Sequence, residues 1–170
     1  IFVGRDTHAL SEPAMVSALE VLLATDVEVR VDNAGRYTPT PAVSHAILTN
    51  PGTDGIVITP SHNPPRDGGF KYNPPTGGPA DSHATSLIAQ RANEYLGKNL
   101  EGVNGVRTQG VVDKRCVQWD FMGNYVADLS NVIDMEAIAK SGLSIGADPM
   151  GGASVDYWGS IAKHYGLNMT

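Results

Sequence analysis

The chain has 170 residues, which is enough for one complete domain and the beginning of a second. Apolar residues make up 41% and charged residues 18%, which is typical of a globular protein and excludes a disordered or fibrous chain. The formal charge is −6 and the 12 basic residues are scattered, which argues against a nucleic-acid partner. An acidic chain can still bind a phosphate ligand if local donors or a metal ion outweigh the overall field.

Cys116 is the single cysteine, so the chain cannot form an internal disulfide, and a reducing cytoplasmic location is the simplest interpretation. No run of about 18 apolar residues predicts a membrane span. The first residues already have the character of a buried strand, and residues 166–170 end as abruptly. Both ends predict that the sequence is a piece of a longer protein.

The first 59 residues alternate between strand and helix patterns. Short apolar or alternating runs predict strands, whereas apolar residues at helical spacing after Ser or Thr and Pro predict helices. The predicted elements are a strand at Ile1–Gly4, a helix from Ser11 with that serine as its N-cap, a strand at Val27–Val31, a helix at Thr38–Leu48 and a strand at Gly55–Thr59.

This β-α-β-α-β order predicts an α/β fold, a three-layer arrangement in which helices cover both faces of a mostly parallel sheet. Further along, the sequence predicts a short strand containing Lys71, a surface helix at Ala80–Leu96 and a strand at Leu143–Ala147. Ligands of such sheets bind outside the carboxyl ends of the strands. The residues that directly follow each strand are therefore the candidates for function.

The segment after Gly55–Thr59 is the most unusual in the chain. It reads TPSHNP at residues 59–64, followed by PRDGGFKYN at residues 65–73. Its prolines stiffen the backbone, and Gly68 and Gly69 allow a tight return into the next strand. The Ser61 hydroxyl is thus predicted to lie on a rigid loop at the end of a core strand.

Such a position suits a nucleophile in phosphoryl transfer, which depends on positioning and on charge stabilisation. His62 and Asn63 could donate hydrogen bonds, and Lys71 could neutralise phosphate or move a proton. The residues alone leave open a second interpretation. In it the segment is a turn between two strands, Ser61 and Asn63 satisfy backbone groups, and His62 lies on the surface.

Other polar residues allow two interpretations or only a structural one. Arg5 at the end of the first strand could support the loop or form a structural ion pair. The loop at residues 148–154 could cradle a phosphate, but it lacks the spacing of the known phosphate-binding fingerprints and also fits a tight strand-to-helix turn. His8, His45, His83 and His164 have no metal-ligand spacing and are interpreted as structural.

The hexapeptide TPSHNP resembles the phosphoserine loop of the α-D-phosphohexomutase superfamily, and GFKYN at residues 69–73 resembles the segment that follows it. The resemblance extends to VGRDTHALS at residues 3–11, TPTPA at 38–42, NPPTGGPAD at 73–81 and GADPMGG at 146–152. Together these segments resemble the bacterial phosphoglucomutase branch of the family. The resemblance covers nearly the whole chain and is least informative over residues 98–118.

The resemblance implies a division of the chain. Residues 1–125 would be domain I, lacking its N-terminal segment, and residues 126–170 would be a linker and the beginning of domain II. In the family, four domains surround a central cleft. The metal loop, the sugar-recognition loop and the distal phosphate site of the family have no counterpart in these residues, so we expect the chain to be inactive by itself.

The resemblance also implies residue roles and ligands. Ser61 would carry the phosphate, exchange it with glucose 1-phosphate or glucose 6-phosphate through glucose 1,6-bisphosphate, and contact Mg²⁺ through that phosphate. Lys71 would transfer a proton at the reacting hydroxyl, His62 and Asn63 would shape the loop, and Arg5 would support it. The partner is thus a hexose phosphate and not a nucleic acid or a membrane, and the oligomeric state is left open.

Two alternatives to a phosphoglucomutase follow from the same resemblance. A phosphomannomutase or phosphoglucosamine mutase is one, because the sugar-reading residues of the family lie outside these 170 residues. The other is a mutase-like binding protein that has lost catalysis. The presence of both Ser61 and Lys71 argues against the second.

Overall fold

The computed structural model describes residues 1–170 and is built on one mixed sheet. The spatial order of its five strands is β4-β3-β1-β2-β5, and only β4 runs antiparallel to its neighbour. The strands are β1 Phe2–Arg5, β2 Arg30–Asp32, β3 Gly55–Ile58, β4 Lys71–Asn73 and β5 Val117–Trp119.

Six α-helices and one 3-10 turn complete the fold. Their bounds are α1 Ser11–Leu22, α2 Thr40–Leu48, α3 Ser82–Gly97, α4 Phe121–Asp128, α5 Met135–Lys140 and α6 Tyr157–Tyr165, with the 3-10 turn at Leu129–Asn131. None of the helices combines the length and the apolar character required to cross a bilayer. α3 is the surface helix predicted from the sequence, since none of its residues is buried.

Each central strand sends alternate side chains to opposite faces of the sheet, and both faces are covered. In β1, Phe2 joins a core with residues of α2, α4 and α6, whereas Val3 joins a second core with Met15 and Leu19 of α1. In the larger core, the Phe2 ring packs edge-on against Trp119 at 5.3 Å between centroids. The predicted α/β fold with helices on both faces is confirmed.

The structure corrects the predicted start of α1. Ser11 is its first helical residue rather than its N-cap, which is Leu10. The Ser11 hydroxyl donates instead to the carboxylate of Asp6, at 2.5 Å, and is therefore not available to cap the helix. A serine followed by proline is also compatible with the first turn of a helix, which is why the sequence pattern misplaced the cap.

The observed bounds of two further elements differ from those predicted from the sequence. α2 begins at Thr40 and not at Thr38. Thr38 precedes a proline, which disfavours the helical region, and Pro39 itself is extended at φ −65°, ψ 147°. The predicted strand at Leu143–Ala147 is reduced to one isolated bridge between Ile145 and Met169. Its backbone pairing consists of the hydrogen bonds that Ile145 and Ala147 make with Asn168 and Thr170.

The parallel strands β1, β2 and β3 end at the same edge of the sheet. Arg5 pairs with Ile58 in register, so the segments that leave β1 and β3 start side by side. The Asp6 N–H donates to the Ile58 carbonyl at 3.1 Å and continues the pairing past the end of the strands. This edge positions the candidate site.

Candidate active site

The serine loop, residues 59–70, connects β3 to β4. The Thr59 N–H donates to the Gly69 carbonyl at 3.0 Å, so the two ends of the loop are joined as in a hairpin. Residues 61–68 are exposed, whereas Thr59 and Pro60 are buried where the loop leaves the core. A solvent-accessible segment is thus carried on a rigid base.

Gly69 allows this close approach of the two ends. A Cβ atom on Gly69 would lie 2.0 Å from the Thr59 carbonyl oxygen and 2.7 Å from the Pro60 Cα. Both neighbours are backbone atoms and cannot move aside as a flexible side chain would. The glycine is therefore required by the backbone approach and not by its φ angle.

Replacing Gly69 with alanine should force the ends of the serine loop apart. We expect the free energy of unfolding to fall by about 2 kcal/mol, the usual scale for overpacking, when measured by urea denaturation. Gly68→Ala is the matched control, because its Cβ would have only the Leu10 Cδ1 within reach, at 3.8 Å. A change within about 0.5 kcal/mol is expected there; equal effects of the two substitutions would contradict the steric explanation.

Ser61 has a backbone conformation that is unusual for a residue with a side chain. Its φ angle is +59°, in the left-handed region that favours glycine. The Ser61 N–H donates to the Thr59 hydroxyl at 3.0 Å, which helps hold this conformation. Such backbone strain persists only where the surroundings over-determine it, and it concentrates at functional sites.

Lys71 is the partner of Ser61 in this geometry. It is the first residue of β4, where it pairs in register with Val57 of β3, and its ammonium donates a hydrogen bond to the Ser61 hydroxyl oxygen. Sheet pairing thus fixes the Lys71 backbone, and its ammonium lies at the Ser61 hydroxyl oxygen. This pair is what the sequence predicted as the reacting centre, and the fold brings its two members together.

His62 and Asn63 lie beside Ser61 at the exposed tip of the loop. The Asn63 backbone N–H donates to the Pro60 carbonyl at 3.3 Å and closes a turn. Both side chains face solvent and neither hydrogen-bonds to another protein group. They are available to a ligand, and their proposed part in shaping the loop stays a prediction.

Arg5, predicted as a support for the loop, points elsewhere. Its guanidinium donates to the Gly35 carbonyl at 3.2 Å, stacks over the Tyr37 ring at 4.6 Å and lies 3.6 Å from the Glu12 carboxylate. Its side chain makes no hydrogen bond to the serine loop. The backbone carbonyl of Arg5 accepts the Thr38 N–H at 2.8 Å, so the residue organises the segment before α2.

A cleft of about 360 Å³ lies against Ser61. Four segments line it: the turn after β1, the segment before α2, the end of β3 with the serine loop, and the loop at residues 150–153. The last of these is held by the Thr7 hydroxyl, which donates to the Gly151 carbonyl at 2.6 Å. Sequence reasoning named the loop of Gly151 as one that could cradle a phosphate but missed Thr7 and the contact between them, because a contact across 144 positions leaves no local signal.

A larger groove of about 500 Å³ lies between α2 and α4, away from the serine loop. The surface that it exposes is mostly apolar, and its polar lining residues include Thr40, Ser44, Thr49 and a His45 and Asp128 pair at 2.9 Å. Hydrogen bonds from Asn131 and His45 lower the pKa of the Asp128 carboxyl. Cavity size therefore does not identify the site, which the Ser61 and Lys71 chemistry places in the smaller cleft.

The polar groups at the base of the hairpin are fixed as well. Tyr72, next to Lys71, donates its hydroxyl to the Asp54 carboxylate at 2.9 Å. Burial and this hydrogen bond raise the pKa of Tyr72, so the phenol is neutral near pH 7. No group of three or more His, Cys, Asp or Glu side chains is arranged to hold a metal ion. Ser61 places an exposed hydroxyl oxygen at this site, and oxygen is the ligand type that a hard cation such as Mg²⁺ prefers.

The chain is similar to known proteins over its whole length. Residues 1–97 match the family model for phosphoglucomutase/phosphomannomutase, alpha/beta/alpha domain I. The chain is 52% identical to the phosphoglucomutase of Komagataeibacter xylinus, with all of this chain and 32% of that protein covered. It is 42% identical to the phosphoglucosamine mutase of Prochlorococcus marinus, over 45% of this chain and 16% of that protein.

A solved structure is similar as well. A Thermus thermophilus protein described as a candidate phosphomannomutase superposes with a TM-score of 0.74 at 26% identity, covering 99% of this chain and 35% of that one. The chain therefore spans about a third of the length of the relatives that it matches from end to end. The family model covers more than half of the chain, including Ser61 and Lys71. The resemblance carried by the serine loop is thus confirmed, and the chain belongs to the phosphoglucomutase/phosphomannomutase family.

Proposed function

We propose that the protein containing this chain is a phosphoglucomutase that interconverts glucose 1-phosphate and glucose 6-phosphate. Ser61 carries the phosphate, and glucose 1,6-bisphosphate is the intermediate. The observation that carries the proposal is the hydrogen bond from the Lys71 ammonium to the Ser61 hydroxyl, on a loop where Ser61 has a positive φ. The 52% identity to a bacterial phosphoglucomutase supports glucose as the sugar.

In the first transfer the phosphoserine gives its phosphoryl group to a free hydroxyl of the hexose phosphate. The hydroxyl oxygen forms a new bond to phosphorus, and the bond between phosphorus and the Ser61 Oγ breaks with its electron pair left on Oγ. The proton lost by the hydroxyl ends on that Oγ. The Lys71 ammonium lies beside Oγ, which supports a role in stabilising this charge and in passing on the proton.

The second transfer is the reverse reaction with the other phosphate of glucose 1,6-bisphosphate. The bisphosphate turns over in the cleft, and the Ser61 hydroxyl accepts the phosphoryl group at the oxygen that Lys71 contacts. The exposed side chains of His62 and Asn63 are close enough in sequence to Ser61 to donate to phosphate oxygens. Net isomerisation results, and the enzyme regains its phosphoserine.

Mg²⁺ is the cofactor that this chemistry requires. Of the residues in this chain, Ser61 would hold the ion through its phosphate, and its exposed position leaves room for ligands from elsewhere in the protein. When bound, the ion would neutralise negative charge on the transferring phosphoryl group.

We further propose the division of the chain that the family resemblance implies, with domain I over residues 1–125 and a linker and the start of domain II over residues 126–170. The bridge between Ile145 and Met169 lies outside the five-stranded sheet, which supports a second sheet beginning there. The chain spans about a third of the length of the relatives that it matches from end to end, so these 170 residues are expected to be inactive by themselves. The single cysteine supports a cytoplasmic location.

A phosphomannomutase or phosphoglucosamine mutase is the competing function. The 42% identity to a phosphoglucosamine mutase over 45% of the chain favours keeping it. A non-catalytic binding protein is disfavoured by the intact contact between Lys71 and Ser61.

Phosphopeptide mapping of the full-length protein tests the proposal. After incubation with glucose 1,6-bisphosphate and Mg²⁺, we expect phosphate on the peptide that contains Ser61 and on no other serine. Parallel incubations with the bisphosphates of mannose and glucosamine rank the three sugars by labelling rate. Folded, metal-loaded protein with an unmodified Ser61 would instead support the non-catalytic alternative.

A further inference from the structure

His8, in the turn between β1 and α1, reaches across to the serine loop. Its Nε2 lies 2.6 Å from the Pro65 carbonyl oxygen, and its Nδ1 accepts the Leu10 N–H at 3.1 Å. An Nδ1 that accepts a hydrogen bond carries no proton, so the neutral ring holds its proton on Nε2. His8 therefore donates to the Pro65 carbonyl, four residues beyond Ser61.

This is the one hydrogen bond that joins residues 60–68 to a residue outside the hairpin. The other hydrogen bonds of this segment run within the hairpin, for example from the Asp67 N–H to the Pro64 carbonyl at 2.9 Å and from Lys71 to Ser61. Residues 61–68 are all exposed and contribute nothing to either core. A segment with so few buried contacts opens easily unless a specific bond restrains it.

His8 is itself held in place from two sides. Its backbone N–H donates to the Asp6 carboxylate at 3.0 Å, and the same carboxylate accepts the Ser11 hydroxyl. The Asp6 N–H in turn donates to the carbonyl of Ile58, the last residue of β3. The base of the His8 turn is thus attached to the strand from which the serine loop departs.

We propose that His8 is a positioning residue for Ser61, which fixes the far side of the serine loop through the Pro65 carbonyl. This inference rests on the proposed function, in which Ser61 carries the phosphate. The left-handed conformation of Ser61 needs restraint on both sides. Thr59 supplies it on the side of β3, and His8 supplies it on the other.

Two substitutions separate the two hydrogen bonds of the ring. The Nε2 amide of glutamine reaches as far as the imidazole Nε2, so His8→Gln keeps the donor to Pro65. The Oδ1 of asparagine takes the place of the imidazole Nδ1, so His8→Asn keeps the acceptor for Leu10 and loses the donor. Both variants retain a polar side chain in the same turn, which makes each a control for the other.

In the full-length protein we expect His8→Asn to slow Ser61 phosphorylation by glucose 1,6-bisphosphate about tenfold, the scale of one lost positioning contact. The decrease should fall on kcat with KM unchanged, and His8→Gln should stay near the wild-type rate. A purely structural role in the turn predicts the opposite order, since only His8→Asn preserves the bond to Leu10. Equal rates in wild type and His8→Asn would overturn the proposal.

Limited trypsin digestion measures how strongly the serine loop is restrained, independently of catalysis. The Arg66 side chain is 86% exposed next to the held carbonyl, and cleavage after it requires the loop to open. We expect His8→Asn to raise the cleavage rate at Arg66 several-fold relative to Arg91 in α3, and His8→Gln to leave it unchanged. Unchanged cleavage in His8→Asn would refute the restraint. If the wild-type protein takes no phosphate on Ser61 and the two variants still differ in cleavage as expected, the proposed function is refuted and His8 is a loop restraint only.

Discussion

Replacing Ser61 with alanine should abolish mutase turnover in the full-length protein. The substitution removes the oxygen that accepts and returns the phosphoryl group, and no other hydroxyl lies within hydrogen-bonding distance of Lys71. Loss of a nucleophile in covalent catalysis lowers kcat by about 10⁴-fold or more. The measurement is the rate of glucose 6-phosphate formation from glucose 1-phosphate with saturating Mg²⁺ and bisphosphate.

Ser17→Ala is the matched control for this experiment. Ser17 lies on the exposed side of α1, where its hydroxyl donates to the Pro13 carbonyl at 3.2 Å. We expect unchanged turnover and unchanged phosphate incorporation in that variant. Residual turnover of Ser61→Ala above a hundredth of the wild-type rate would show that another group carries the phosphate.

Replacing Lys71 with methionine should lower kcat by about 10²- to 10⁴-fold, the usual effect of removing a positioned acid or base. Methionine keeps much of the length and apolar surface of the side chain and removes only its charge and proton. The stability of the hairpin should change little, since the β4 backbone pairing with Val57 remains. The rate of single-turnover phosphate transfer to Ser61 is the direct measurement.

The rate of phosphate transfer should depend on the position of the positive charge at residue 71 as well as on its sign. Lys71→Arg keeps a cation, but its planar guanidinium cannot approach the Ser61 oxygen in the same way. We expect it to recover less than a tenth of the lost rate. Lys98→Met, at the exposed end of α3, is the control for a lost surface charge. A rise in KM with kcat unchanged in Lys71→Met would make Lys71 a phosphate-binding residue without a part in proton transfer.

The parts of the fold that depend on short-range patterns were predictable from sequence. β3 follows from an apolar run, and the strand with Lys71 follows from the tight return that Gly68 and Gly69 allow; both are confirmed. The amphipathic pattern predicts the helix at Ala80–Leu96 within two residues of its observed bounds, and the structure adds that Asp81 caps it by accepting the Ala84 N–H at 2.8 Å. A local cap and a periodic pattern carry enough information for an isolated element.

Features that depend on distant partners were not predictable. The hydrogen bond from His8 to Pro65 spans 57 positions, and a lone histidine in a polar turn has no pattern that distinguishes it from a structural residue. The strand predicted at Leu143–Ala147 has an apolar run of the right length, but strand formation also depends on a pairing partner distant in sequence, here the single bridge from Ile145 to Met169. Ser11 failed as a cap because Asp6, five residues earlier, competes for its hydroxyl.

Ser61 and Lys71 are ten residues apart on the two arms of one hairpin, whereas the opposite wall of the cleft comes from residues 150–153. A displacement of the 150–153 wall would therefore change the width of the cleft without changing the distance between the serine oxygen and the ammonium. The width of the cleft and the geometry of the reacting pair thus depend on different segments of the chain. Substitutions in the 150–153 wall can alter which ligand enters while the reacting pair keeps the same geometry.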